Sequence, residues 1–192
     1  MTGGQTISRL LHRTASRHPL KCAVRSGEIA CSYADFSALC ERLAAGLIHE
    51  AVVTGSRVAA LSRNSHACAA LRACAYRRGP CPHQLHADGG KSGLDPAPRW
   101  RAYARARPRL GRTRAQRRFA EHPVEKLLAL PGESSPEIEG EDMLGFARLA
   151  ATTIALPEIS VVGTDPAQIV YTSSTESLPK RAMLAHEAVI WQ

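Results

Sequence analysis

The sequence predicts an α/β fold. Between Lys21 and Arg78, short strand-like runs alternate with segments of helical spacing. The apolar residues of the longest helical segment recur at intervals of three and four. A second block from Val124 repeats the mixture of apolar runs, polar turns and helical pattern. Each element has a local reason to form.

SRLLHRTASRHP is a short helical pattern that Pro19 stops. Lys21–Ser26 and Glu28–Ser32 pattern as a hairpin, with Cys22, Val24, Ile29 and Cys31 as its apolar positions and Ser26-Gly27 as its turn. Ser32 followed by Asp35 resembles a capping box, with Asp a shorter stand-in for Glu. Phe36, Leu39, Leu43 and Leu47 then form one buried stripe of a helix that Thr54-Gly55-Ser56 breaks. Arg57–Leu61 has the composition of a buried strand, and the Ala-rich run Ser65–Arg78 is helical. In the second block, VEKLLALPGE predicts a strand entering a Pro-Gly turn, and MLGFARLAATT a short helix. Gln168–Thr172 predicts a strand, a Ser/Thr-rich loop follows it, and RAMLAHEAVIWQ begins a further helix.

Composition sets limits. No stretch approaches the roughly 20 apolar residues that cross a bilayer, and the N-terminus has no apolar run of signal-peptide length. A cytoplasmic location is expected. Three Phe, two Trp and four Tyr leave few large core anchors. The six cysteines form no CxxC pair, and without an export signal they read as buried or neutral thiols.

The net charge of +8 is concentrated in one place. Residues 80–123 hold ten basic side chains (Lys91, Arg99, Arg101, Arg105, Arg107, Arg109, Arg112, Arg114, Arg117 and Arg118) against Asp88, Asp95 and Glu121. The rest of the chain has fifteen basic and fourteen acidic residues. Three segments follow: 1–79, an Arg/Pro-rich 80–123 and 124–192.

The clearest chemistry lies after the Gln168–Thr172 strand. Residues 172–180 pack five hydroxyls (Thr172, Ser173, Ser174, Thr175, Ser177) and Lys180 into nine positions. Hydroxyls, backbone N–H groups and an ammonium together suit phosphate oxygens. The Walker A spacing is absent.

The run YTSSTESLPKRAMLAHEAVI resembles the phosphate-binding loop of the adenylate-forming superfamily: acyl-CoA synthetases, fatty-acid–AMP ligases and related AMP-binding enzymes. The matching residues are Tyr171, Thr172, Ser173, Thr175, Glu176, Ser177, Pro179, Lys180 and His186. The first block is similar to that superfamily at His18-Pro19, Ala23-Val24, Ser32–Phe36, Leu43–Leu47 and Gly55–Ala59. The likeness covers roughly residues 8–79 and 124–192. It implies an α/β fold that is the N-terminal portion of an adenylation domain, with an irregular Arg-rich insert. It implies ATP and Mg2+ as cofactors and a carboxylic acid, fatty acids included, as substrate. The acid is joined to AMP, pyrophosphate leaves, and the acyl group usually passes to a thiol. By the same resemblance, Thr172, Ser173, Ser174, Thr175, Glu176, Ser177 and Lys180 form the phosphate site. No catalytic residue and no metal ligand is assigned.

The chain departs from the family pattern in three ways. Ser174 and Arg181 stand where the family has Gly, which permits positive φ and close approach to phosphate. The sequence ends at Gln192, and the family's adenine, ribose and magnesium contacts and its C-terminal catalytic Lys lie further on. Adenylation by this chain alone is therefore expected to be negligible. Thirdly, residues 80–123 match nothing in the family and read as an out-of-frame or disordered segment. The codons of Gly79–Asp88, started one base later, permit Val-Pro-Val-Pro-Ile-Asn, where the family has a Val-Pro-(Ile/Leu)-Asn strand. Two other readings compete for this segment. Its cations, with Trp100, Tyr103 and Phe119 among them, could make a nucleic-acid-binding arm. Cys74, Cys81, His83 and His86 could hold zinc, although their spacing fits no familiar finger.

Overall fold

The computed structural model describes residues 4–52, 56, 58–61, 66–75, 82–85, 101–104, 127–129, 143–156, 160–171 and 181–191. Its first helix, α1, spans Ile7–Arg17. Thr6 caps it in extended conformation, its hydroxyl accepting from the Arg9 N–H at 3.3 Å. The helix ends at His18, because the residue before Pro19 is driven out of the helical region.

Strands β1 (Cys22–Ser26) and β2 (Ile29–Ser32) form an antiparallel hairpin. Ser26 pairs with Ile29, so Gly27 and Glu28 make a two-residue loop, and Gly27 adopts φ 58°. A glycine at the first central position is what a primed turn needs. The apolar residues do not share one face as the alternation predicts. The register shifts between Cys22 and Val24, which leaves Ala23, Val24 and Cys31 against the core and Cys22 exposed. Ile29, beside the turn, is also exposed.

Helix α2 spans Tyr33–His49. Ser32 caps it, accepting from the Asp35 N–H at 3.2 Å, while the Ser32 hydroxyl donates to the Asp35 carboxylate at 2.6 Å. The helix stops well before Gly55. Ala51 takes φ 59°, its N–H donates to Ile48 O, and the Val52 N–H donates to Leu47 O. This is a Schellman turn with alanine where glycine is preferred, and Val52 is buried beneath it.

The predicted stripe is real but too narrow. Phe36, Leu43 and Leu47 are buried and Leu39 is half-buried, and Cys40, Ala44, Ala45 and Gly46 are buried too. The reason is packing on several sides. Helix α2 meets α1, α3 (His66–Ala75), the β1–β2 hairpin and a short α4 (Phe146–Ala150). Ala67, Ala70, Leu71, Cys74, Phe146 and Leu149 complete this core. Its small residues let the helices approach closely: a Cβ on Gly46 would lie 2.5 Å from the Leu149 carbonyl oxygen.

The main sheet has five described strands in the order β5-β3-β4-β8-β9. They are β3 (Val58–Leu61), β4 (Pro82–Leu85), β5 (Arg101–Ala104), β8 (Pro166–Tyr171) and β9 (Arg181–Ala185). The first four are parallel and β9 is antiparallel to β8. Strands β6 (Leu127–Ala129) and β7 (Met143–Gly145) form a separate parallel pair. The helix predicted from Met143 thus begins three residues later, at Phe146. The described residues of 80–123 are β4 and β5, and both pair in the sheet.

Candidate functional site

Strand β8 runs parallel to β4, with His83 opposite Ile169. Strand β9 then returns along β8, pairing Arg181 with Tyr171, Ala182 with Val170, Met183 with Ile169 and Leu184 with Gln168. The sequence pattern predicted helix from Arg181, since Ala, Met and Leu favour it. Pairing with β8 overrides that preference, and helix α5 (His186–Ile190) starts only after the strand.

This topology fixes the ends of the hydroxyl-rich loop. Residues 172–180 join two directly paired residues, so the loop leaves and re-enters the sheet at the same point. That point is the carboxyl end of a parallel strand, where open α/β sheets bind ligands. The predicted contacts Thr172, Ser173, Ser174, Thr175, Glu176, Ser177 and Lys180 all lie outside the described residues; the structure describes the frame that presents them. Arg181 is within it. Its backbone lies in a paired strand, an extended conformation open to residues with a side chain.

His186 lies at the opposite end of the β8–β9 hairpin. It is fully buried, its N–H donates to Asp165 O at 3.1 Å, and its Nδ1 accepts from the Ile7 N–H at 3.4 Å. Burial pushes its pKa below the ordinary histidine value, and the Asp165 carboxylate opposes that shift. Asp165 is itself held in a turn, its carboxylate accepting from the Val162 N–H at 2.9 Å. The sequence motif includes His186 but gives no sign that residues 4–7 pack against it. The available signal was Thr6, a capping residue ahead of the first helical pattern.

The other sequence candidates fare differently. Cys40 and Cys74 are buried thiols, donating to Ala70 O and Leu71 O. The half-buried Cys31 has its pKa raised by burial first, then by Asp35 and Cys22, which keeps it neutral. Cys22 is exposed, contrary to its reading as an apolar position, because of the register shift in its strand. Of the zinc set, Cys74 is in the helical core and His83 in β4, while Cys81 and His86 lie outside the described residues. Among the described residues no three His, Cys, Asp or Glu side chains group to hold a metal. Of the ten cations in 80–123 only Arg101, in β5, is described, so the basic arm lies outside those residues. No helix among the described residues is long and apolar enough to cross a membrane.

A family model for AMP-binding enzymes matches residues 11–192. The chain belongs to the AMP-binding enzyme family. Solved structures agree on the fold. One, described as a long-chain-fatty-acid CoA ligase from Rhodopseudomonas palustris CGA009, is 22% identical with a TM-score of 0.73, covering 97% of this chain and 46% of that one. Mycobacterium smegmatis MbtA is 20% identical with a TM-score of 0.76, covering 97% and 35%. The anthranilate CoA ligase AuaEII, solved with anthranoyl-AMP, is 16% identical with a TM-score of 0.76, covering 97% and 36%. This chain therefore spans less than half the length of these structures. Among curated proteins nothing matches.

Proposed function

We propose that this chain is the N-terminal part of an ATP-dependent acyl-activating enzyme. The parent reaction joins a carboxylic acid to AMP, releases pyrophosphate and passes the acyl group to a thiol, usually that of coenzyme A. The observation that carries the reading is the frame of the loop. Nine residues rich in hydroxyls, with Lys180, bridge the paired Tyr171 and Arg181 at the carboxyl end of β8. In this reading Thr172, Ser173, Thr175 and Ser177 donate to the β- and γ-phosphates. Lys180 supplies the cation, Ser174 and Glu176 complete the loop, and Mg2+ accompanies the nucleotide. The acid is aliphatic or aromatic: the similar structures include a fatty-acid CoA ligase and an anthranilate CoA ligase. The buried thiols Cys40 and Cys74 suit a reducing cytoplasm.

Alone, this chain is an inactive fragment in this proposal. Strand β9 is the outer strand of the sheet among the described residues, and Met183 on it is 66% exposed. Residues 1–79 and 124–192 are adenylation-domain sequence, and 80–123 is read out of frame. The position of β4 supports that division. It lies between β3 and β8, in the interior of a parallel sheet, where near-continuous apolar sequence is the rule, yet it reads Pro-His-Gln-Leu. The codons of His83 and Gln84 started one base later give Ile or Thr there.

Two measurements test this. Sequencing the coding DNA from Tyr76 to Glu125 should show an open shifted frame that spells the apolar strand; stop codons in that frame would refute it. Calorimetric titration with ATP and Mg2+ should show no saturable binding tighter than about 1 mM, and acid-dependent pyrophosphate exchange should be absent. Binding in that range that Lys180→Ala abolishes would show that the loop works and overturn the inactive reading.

A further inference from the structure

The N-terminal segment and the exit of the β8–β9 hairpin meet at one buried point. Thr6 is 1% exposed and His186 is 0% exposed. The Ile7 N–H donates to His186 Nδ1 across 179 positions of sequence. Beside this bond, the Glu187 N–H donates to Gly163 O at 3.0 Å. The Glu187 side chain fills a niche between Gly4 and Gly163, where a Cβ on either glycine would collide with its carboxylate.

We infer that His186 is a pH-responsive positioning residue that latches residues 4–7, and with them α1, onto the foot of the β8–β9 hairpin. An imidazole nitrogen that accepts a hydrogen bond carries no proton, so the latched ring is neutral and bears its proton on Nε2. Protonation turns Nδ1 into a donor facing the Ile7 N–H, and the bond is lost. Helix α5, which His186 opens, packs against α1, β8 and β9, and the His186 backbone N–H bonds the turn before β8. Asp165 in that turn is the carboxylate that favours the charged ring, and Glu187 adjoins it. The first turn of α1 carries Arg9 and no acid, while Tyr171 and Arg181 sit at the far ends of their strands. Burial outweighs Asp165, so the folded ring resists protonation more than an unfolded one. The latch is therefore complete above the ordinary histidine value of about 6.5 and is lost only as pH falls further, through the lowered value of the folded ring. It holds the hairpin at the end opposite residues 172–180 and does not depend on what that loop binds.

Hydrogen exchange on the whole chain tests this, with rates corrected for the intrinsic effect of pH. The Ile7 amide should be protected at neutral pH and lose protection as acid takes the His186 ring, followed by its own NMR titration, from neutral to charged, while the amides of Leu43 and Leu47 stay protected. In His186→Asn the side-chain oxygen takes the place of Nδ1 and accepts at every pH, so Ile7 should remain protected throughout. Protection at Ile7 that persists once the ring has titrated in the unaltered chain, or a pH-dependent loss that persists in His186→Asn, would overturn the latch. Nitrogen chemical shifts of the His186 ring give a check that needs no variant: a proton on Nδ1 at neutral pH would also overturn it.

Discussion

The helical core around α2 and the sheet interior around β4 are built on opposite terms. In α2 every level agrees. Ser32 caps the helix, the apolar stripe faces the core, and small residues admit the neighbouring helices. In β4 the topology demands one thing and the residues offer another. A strand flanked on both sides in a parallel sheet reads Pro-His-Gln-Leu, and β5, the outermost described strand beyond β3, reads Arg-Ala-Tyr-Ala. Local signals and environment agree in α2, whereas in β4 only the pairing with β3 and β8 accounts for the strand.

The largest effect should come from the centre of the consistent region. Leu43 is 0% exposed in the core between α2 and its neighbours. Leu43→Ala should cost about 2–5 kcal/mol and lower the denaturation midpoint accordingly. A cost below about 1 kcal/mol would mean that this core is loosely packed and the contrast with β4 is false.

Gly46→Ala comes next. Alanine favours helix by about 1 kcal/mol over glycine, but its methyl group would meet the Leu149 backbone, which cannot swing aside as a side-chain tip could. A net loss of about 1–3 kcal/mol is expected, read as a lowered melting temperature. A gain would show that α2 and α4 separate easily.

Ala51→Gly should act in the other direction. Ala51 sits at φ 59° in the turn that ends α2, a conformation that costs a residue with a Cβ about 1–2 kcal/mol. Glycine removes that strain but adds freedom to the unfolded chain. The expected net gain is about 0.5–1 kcal/mol in urea unfolding.

The legibility of the fold follows the same division. The hairpin, the Ser32 cap and the α2 stripe were readable because short-range chemistry alone specifies them. The end of α2 was not, since nothing in Ala51 announces a left-handed turn. The residues of β9 predict helix, and only the pairing with β8 decides otherwise. The loop at 172–180 was legible as a motif. The docking of Ile7 on His186 was not, because a contact spanning 179 positions leaves no periodicity to read.

The smallest effect tests the contrast most directly. His83 pairs with Ala59 on one side and Ile169 on the other, in the interior of the sheet. If β4 belongs to a segment read out of frame, His83 was never selected for that place, and an apolar β-branched residue should suit it better. His83→Ile should then stabilise the fold by up to about 1 kcal/mol, the span of strand preference, seen as a higher denaturant midpoint at unchanged slope. A histidine with a native role would behave in the opposite way: isoleucine would lower the midpoint. In that case the polar sequence of β4 would be part of the design of this chain, and residues 80–123 would have to be read as genuine protein.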